Sequence, residues 1–329
     1  MSDHPIEPIL DPSADRDVLF PVQYPEMFDQ YKKQLSNFWT APEVDMKDDR
    51  YQFMNLLNDG ERRLVQSIIV FFASADSIVS KNLMNKFCKE VTILEAQISY
   101  TFQAMMENIH AEVYSLTLDA YIPDIKQRDE ILNETLPNAR AKIEWAKKWG
   151  DGGDAPFAAR LLAYIIVEGV LFQGSFCAIY WFKERNLLPA LTKSNEFIAR
   201  DEGMHCEFGC LLYDMLQYTR LPECDAHAML QEAVEIEIGF ITEAMPENPG
   251  AGMNATMMIE YIKSVADAVI TRIGYAPVYG ATNPFRFMEC IGMQARSNFF
   301  EERVSQYQRA DVYDKGAGDD DNDYKTADF

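Results

Sequence analysis

Two short segments, each with a glutamate followed three residues later by a histidine, constrain the fold of this chain most strongly. They are Glu107-Asn-Ile-His110 and Glu202-Gly-Met-His205, and each lies within a long run of helix-forming residues. Residues three apart on an α-helix point the same way, so each pair presents a carboxylate and an imidazole together. A fold that uses both pairs at one site must bring two distant helices side by side.

Each pair is preceded by a single acidic residue in the middle of an apolar helical run. Asp76 precedes Glu107 by 31 residues, and Glu168 precedes Glu202 by 34. About 15 residues of helix on either side of a turn give about 22 Å of rise. The chain therefore returns to the same height, which places Asp76 level with Glu107, and Glu168 level with Glu202. The repeat therefore predicts a four-helix bundle with six ligand-type side chains at one level.

Buried carboxylates at one level repel one another unless a cation lies among them. A lone buried acid usually pairs with lysine or arginine, and a lone Glu-x-x-His is usually a surface feature. This chain, however, has only 4 histidines, and two of them occur in this arrangement. Oxygen-rich ligands with one imidazole per ion suit iron or manganese better than structural zinc. We predict two iron ions, with manganese as the alternative, and the predicted ligands are Asp76, Glu107, His110, Glu168, Glu202 and His205.

Helical periodicity dominates the chain, and no convincing alternating strand pattern interrupts it, so the predicted class is all-α. Helices are predicted at 25–36, 59–90, 93–121, 127–149, 156–185, 190–218, 225–245, 254–274 and 285–307. Prolines in the first 20 residues oppose helix and predict an extended N-terminal arm over 1–20. The metal-binding domain is then predicted at 21–307. Residues 311–329 hold seven acidic and two basic residues and few apolar ones, which predicts a flexible, disordered acidic tail over 308–329.

Composition excludes some classes of binding partner and favours one cellular compartment. The net charge of -22 argues against nucleic acid and anionic membranes as partners, because both attract basic surfaces. The apolar run 161–182 is interrupted by Glu168, which favours a buried core helix over a membrane span. Six cysteines without a C-x-x-C spacing, and an acidic, proline-rich N-terminus unlike a leader peptide, favour a reducing, cytoplasmic location.

Tyr114 lies one helical turn after His110, on the same face. The protein has 16 tyrosines, and an inward-facing one is ordinarily core. If one long crossover over 122–155 joins the two halves, as in ferritin-like bundles, an apolar wall surrounds this ring. The predicted wall residues are Phe72, Phe172, Ile198 and, beyond them, Phe176. Since such a wall neither donates hydrogen nor admits much water, we hypothesise that the phenol loses an electron to the metal centre and keeps the radical.

Six segments carry a resemblance to a known family. They are FWTAPEVD at 38–45, FFASAD at 71–76, MENIHAEVYSLTLDAYI at 106–122, VEGVLFQGSF at 167–176, SNEFIARDEGMHCEF at 194–208 and NFFEERVSQYQ at 298–308. From about residue 7 to the C-terminus the sequence resembles the radical-generating small subunit of class I ribonucleotide reductase, particularly the eukaryotic and eukaryote-like viral type.

The resemblance implies a homodimeric, ferritin-like di-iron bundle with additional helices. It implies that the six predicted ligands hold iron and that O2 reacting there oxidises Tyr114 to a stable tyrosyl radical. Trp39 and Asp201 match long-range radical-transfer residues, Asp201 linking His110 to the indole. Tyr307 matches the tail tyrosine that passes the radical to the large catalytic subunit, although Tyr313 and Tyr324 share that tail. The last residues, ending at Phe329, would dock on the large subunit, which reduces ribonucleotides to deoxyribonucleotides.

Two other functions are open to a di-iron bundle. A monooxygenase or desaturase would share the ligands but needs a substrate channel to the metals, which the predicted phenylalanine wall opposes. An iron-storage bundle needs neither a chain of 329 residues nor a tyrosine beside the metals. By composition alone, the acidic tail would favour a solubility element over a docking segment.

Overall fold

Long helices build the described part of the protein. The computed structural model describes residues 5–82, 86–150, 155–245 and 252–288, and these stretches contain no β-strand. The α-helices are α1 (Pro25–Ser36), α2 (Lys47–Asn55), α3 (Asp59–Asn82), α4 (Cys88–Glu90), α5 (Leu94–Tyr121), α6 (Ile125–Gly150), α7 (Phe157–Ile166), α8 (Gln173–Glu184), α9 (Pro189–Asp214), α10 (Glu223–Ala244) and α11 (Ala255–Arg272). The predicted all-α class is confirmed.

Some predictions fall outside this description. The side chains at 47, 74–82, 129 and 131–138 lie outside it, including that of Asp76. So do the tail over 308–329, with Phe329, and nearly all of the predicted helix 285–307, with Tyr307. The polypeptide divides into a unit over residues 1–285 and a second over 286–329. The predicted domain boundaries stay predictions.

One predicted helix differs from the observed structure, and another is described only in part. The predicted helix 59–90 is represented by α3, described as far as Asn82, and by the short α4, and residues 83–85 lie outside the description. The predicted helix 156–185 is divided between α7 and α8 by a π-helical segment, Val167–Leu171. Apolar periodicity does not distinguish an inserted π turn from regular α-helix, so the sequence pattern missed it. Such segments occur frequently at functional sites, and this one contains Glu168.

The stretch from α7 to α8 is the apolar run that resembled a membrane span. Phe157–Glu184 is long and apolar enough to cross a membrane, but 94% of its most apolar window is buried inside the protein. The prediction of a buried core helix is therefore confirmed, with the π segment as the added detail. Gly169 in that segment approaches α9 closely, since a Cβ there would lie 2.7 Å from Sγ of Cys206.

The helices with the Glu-x-x-His pairs, α5 and α9, contact each other in the core. Helix α3 packs on α5, while α7, the π segment and α8 pack on α9. One buried side chain of α2 ties the two central helices together. The Asp49 carboxylate accepts hydrogen bonds from the backbone N–H groups of Ala190 (2.9 Å) and Leu191 (2.7 Å) at the start of α9. It also accepts one from the hydroxyl of Tyr121 (2.8 Å) at the end of α5.

The N-terminal segment is attached to the helices by polar contacts. Within the predicted extended arm, Pro8–Leu10 and Pro12–Ala14 form 3-10 turns, each with its proline in the first turn. Proline fits there because its missing N–H would have no partner in the helix. The buried carboxylate of Glu7 accepts hydrogen bonds from the backbone N–H groups of Gln217, Tyr218 and Thr219, at 2.6–2.8 Å. The arm is thereby fastened to the segment that follows α9.

Candidate metal centre

Five of the six predicted ligands meet in the core between α5, the π segment and α9. Each is at most 1% exposed; they are Glu107, His110, Glu168, Glu202 and His205. One ligand atom from each of Glu107, Glu168, Glu202 and His205 lies within 4.8 Å of the others. The sixth residue, Asp76, belongs to α3, which packs on α5. Its side chain lies outside the described part of the structure.

Both histidines direct Nδ1 at the glutamates of the cluster. Nε2 of His110 lies 3.1 Å from Oδ2 of Asp201, which leaves Nδ1 facing the cluster, 3.1 Å from Oε1 of Glu202. Nδ1 of His205 lies 3.1 Å from Oε1 of Glu107 and 3.0 Å from Oε2 of Glu202. A metal bound here would therefore take Nδ1 from both histidines.

The buried carboxylates of the cluster favour positive charge on both imidazoles. Burial lowers the pKa of His205, but the charge of Glu202 and the close carboxylate oxygens of Glu107 and Glu202 outweigh burial and raise it to about 9. For His110, burial is likewise outweighed by the close carboxylate oxygens of Asp201, Glu107 and Glu202, and its pKa lies well above the usual value. Burial raises the pKa of Glu202, but the charge of His205 and hydrogen bonds from both imidazoles hold it below its ordinary value.

The donor set fits a dinuclear metal centre. Among the described residues neither oxygen of Glu107 has a hydrogen-bond partner of good geometry, although both are buried. Buried polar atoms without such partners are rare. Oε1 of Glu107 faces His205 and Oε2 faces His110. The carboxylates of Glu168 and Glu202 are close by, so Glu107 is well placed to bind a metal. Cations would take over the charge that protons on the imidazoles otherwise supply.

A hydrogen-bond chain leads from the cluster to Trp39. Oδ2 of Asp201 accepts a hydrogen bond from Nε1 of Trp39 at 2.7 Å and contacts Nε2 of His110 at 3.1 Å. The indole is buried, and its ring lies 5.9 Å from the imidazole of His110 at an interplanar angle of 21°. A carboxylate on the far nitrogen of a ligating histidine fixes the tautomer and orientation of the ring.

Tyr114 is buried against aromatic rings, as the helical spacing predicted. Its ring stacks on that of Phe72, with centroids 4.8 Å apart and an interplanar angle of 13°. Phe72 in turn lies 5.7 Å from Phe172 and 5.0 Å from Phe176. We call Phe72, Phe172 and Phe176 the aromatic wall. Ile198, the remaining predicted wall residue, is buried on α9.

Two polar residues beside the cluster were missed by the sequence analysis. Nε2 of Gln103 lies 3.5 Å from Oε1 of Glu168, and it also donates to the hydroxyl of Tyr164. That hydroxyl donates to the backbone carbonyl of His205 at 3.3 Å. Gln103 lies four residues before Glu107, and Tyr164 lies four residues before Glu168. A search one helical turn before each predicted ligand would therefore have found both.

A match to the family described as "Ribonucleotide reductase, small chain" covers residues 16–284. The protein belongs to that family. Its relatives include a ribonucleoside-diphosphate reductase small subunit of Arabidopsis thaliana, 48% identical over 95% of this sequence and 94% of the relative. The corresponding subunit of vaccinia virus strain Copenhagen is 44% identical over 93% of this sequence and 96% of the viral one.

A solved structure agrees. The ribonucleotide reductase Rnr4 homodimer from Saccharomyces cerevisiae has 34% sequence identity and a TM-score of 0.78, covering 91% of this protein and 92% of the yeast one. The family resemblance, the ferritin-like all-helical fold and the assignment to an oxidoreductase are thus confirmed. The protein is the small subunit of a ribonucleoside-diphosphate reductase, which decides against the oxygenase and iron-storage alternatives. The roles of individual site residues stay predictions.

Proposed function

We propose that this subunit generates a tyrosyl radical at Tyr114, stores it, and passes it to the large subunit for the reduction of ribonucleotides to deoxyribonucleotides. The observation that carries the proposal is the buried phenol stacked on Phe72, one helical turn from His110 of the cluster. When bound, two iron ions, or manganese in their place, would with O2 supply the one-electron oxidant. The side chains proposed to hold them are Asp76, Glu107, His110, Glu168, Glu202 and His205.

The protein's own residues contribute orientation, exclusion of water and proton handling. Asp201 holds Nε2 of His110, so that Nδ1 stays directed at the cluster. The aromatic wall offers no hydrogen atom that a phenoxyl radical could abstract easily, and its burial keeps water from the ring. For radical transfer we propose that Trp39 is the exit residue, with Oδ2 of Asp201 accepting the indole proton when the indole gives up an electron.

Tyr114→Phe is the direct test of the radical site. The phenol gives up one electron and its hydroxyl proton, and phenylalanine has no proton to release at that position. Reconstitution with iron(II) and O2 should give the wild-type protein a sharp visible absorption and a paramagnetic signal that hydroxyurea abolishes. The variant should bind the same amount of metal and show no lasting signal. A persistent tyrosyl signal in the variant would contradict the assignment.

The assembly is proposed on the same basis. We propose a homodimer, the form in which the yeast Rnr4 relative was solved. We also propose docking on the large subunit through the tail that ends at Phe329, radical transfer through Tyr307, and a cytoplasmic location. The acidic, apolar-poor composition of the tail supports ordering upon binding.

Removal of residues 308–329 tests the docking role. The truncated protein should form the radical as the full-length one does, because every proposed ligand precedes the cut. It should lose reductase activity with the large subunit, measured as conversion of ribonucleoside diphosphate. Full activity of the truncated protein would exclude docking through the tail.

A further inference from the structure

A buried ion pair lies between α6 and α10 and takes no part in the metal cluster. Nζ of Lys142 is 2.6 Å from Oε2 of Glu237, and the two side chains are 1% and 0% exposed. The ammonium also lies over two aromatic rings, 3.4 Å from the centroid of Phe71 and 4.2 Å from that of Phe240. A desolvated cation this close to a ring face is attracted to it strongly.

The other oxygen of Glu237 contacts the backbone beside the π segment. Oε1 accepts a hydrogen bond from the N–H of Gly174 at 3.1 Å. A Cβ at position 174 would collide with this oxygen, so glycine leaves the room that the contact requires. Gly174 lies midway between Phe172 and Phe176, two residues of the aromatic wall.

Both ends of the pair therefore reach the wall around Tyr114. Lys142 contacts Phe71, whose ring is 5.5 Å from Phe72 and 5.7 Å from Phe172. Glu237 fixes the backbone that joins Phe172 to Phe176. The pair thus holds one wall residue through a neighbouring ring and two through their own main chain.

Stability alone is a poor reason for such a pair, because apolar residues of similar volume serve a core equally well or better. In some proteins, buried polar groups instead fix one arrangement of the groups around them. We propose that Lys142 and Glu237 are positioning residues that hold the aromatic wall against Tyr114 and thereby set the lifetime of its radical. The part of this proposal that concerns the radical lifetime rests on the proposed function. The part that concerns the position of the aromatic wall does not.

Three variants and a control separate positioning from stability. Lys142→Met keeps most of the side-chain length and removes the charge, and Glu237→Gln keeps an acceptor for Gly174. The double variant removes both charges and leaves neither partner alone. Lys148→Met is the control, since Lys148 pairs with Glu232 across the same two helices but at the surface, with side chains 54% and 45% exposed.

The first measurement is deuterium uptake by the full-length, metal-loaded protein, followed at the amide of Gly174 and in peptides that contain Tyr114. Each single variant should exchange about tenfold faster at Gly174, because each leaves one buried charge unpaired. Lys148→Met should exchange at the wild-type rate. Wild-type exchange in both single variants would overturn the positioning role.

The second measurement is the decay of the radical in hydroxyurea, compared with the denaturant midpoint of each protein. The double variant should unfold near the wild-type midpoint and yet lose its radical several-fold faster, since Phe71 has lost its cation. A merely structural pair would give wild-type decay in the double variant, and that result would overturn the proposal. If no protein, wild type included, forms a radical, the proposed function fails, and deuterium uptake alone decides whether the pair holds the wall.

Discussion

At the scale of single residues, one atom joins the cluster to the indole. Oδ2 of Asp201 accepts from Nε1 of Trp39 and contacts Nε2 of His110, so one carboxylate oxygen serves two rings. The guanidinium of Arg200 lies 3.4 Å from the other oxygen, Oδ1, and donates to the backbone carbonyl of Asn37 at 2.6 Å. The carboxylate is therefore held on both sides, and the orientation of His110 depends on it.

Asp201→Asn tests this dependence. An amide oxygen in the place of Oδ2 carries no charge, and the amide NH2 would then face the guanidinium of Arg200, a donor against a donor, so asparagine orients His110 less firmly. Metal affinity should fall about 10- to 100-fold, as for other partners of ligating histidines. The measurement is competition between the metal-free protein and a chromophoric chelator for iron(II) or cobalt(II).

The matched control is Glu196→Gln on the same helix. Glu196 pairs with Lys183 and Lys193 at the surface of α9, away from the cluster. Its removal should leave the affinity unchanged. Equal affinities for Asp201→Asn and the wild type would show that Asp201 does not orient the ligand.

At the scale of elements, the π segment is the part that most closely determines the site. It carries Glu168, and its next residue, Gly169, packs directly on α9. A side chain at 169 would meet Sγ of Cys206 at 2.7 Å and Cγ2 of Val269 at 2.9 Å. These contacts place the segment between α9 and α11 with no spare volume.

Gly169→Ala should destabilise the protein by about 1–3 kcal/mol, the usual effect of an added methyl group in a full core. Gly239→Ala on α10 is the control, because a Cβ there meets nothing within 4 Å. It should instead stabilise its helix by up to about 1 kcal/mol. Denaturant unfolding of both variants gives the two free energies. Equal effects of the same sign would contradict the close packing of the π segment.

Those parts of the site that depend on one helix alone could be predicted from the sequence. Spacings of three and four residues were enough to place Glu107, His110 and Tyr114 on one face, because an α-helix fixes the directions of its side chains. The same arithmetic applied backwards would have found Gln103. The π turn was not predictable, since it depends on how Gly169 fits against another helix. The Lys142–Glu237 pair was not predictable either, because its two members are 95 residues apart and neither position is marked by a local pattern.

At the scale of the whole molecule, the N-terminal arm is fastened by a titratable group. Burial by itself raises the pKa of Glu7, but hydrogen bonds from the backbone of Gln217, Tyr218 and Thr219 and from the Thr219 hydroxyl outweigh it, and the pKa lies below the ordinary 4.5. A carboxylate with a lowered pKa in the folded state stabilises the fold above about pH 4.5. That contribution is lost as the pH falls through the lowered pKa.

Glu7→Gln should therefore be less stable than the wild type by about 1.5–3 kcal/mol at pH 7, the range for hydrogen bonds to a charged group. The difference should shrink as the pH falls below about 4.5, where the wild-type carboxylate also takes up a proton. Denaturant unfolding across this pH range measures it. Asp17→Asn, an exposed acid in the same arm, should leave the stability unchanged at every pH. A difference for Glu7→Gln that stays constant with pH would contradict the role of the carboxylate.

The contact of Glu7 also bears on the order in which parts of the protein fold. It joins residues 212 positions apart and so closes a loop over most of the described residues. The entropy of closing a loop grows only with the logarithm of its length, and each doubling adds about 0.6 kcal/mol. The segment that Glu7 binds takes up its position only once α9 has folded, so the residues around Glu7 should be among the last to become ordered. In pulse-labelled refolding, protection of the Tyr218 amide should follow that of α9, which makes attachment of the arm a marker that the bundle beneath is complete.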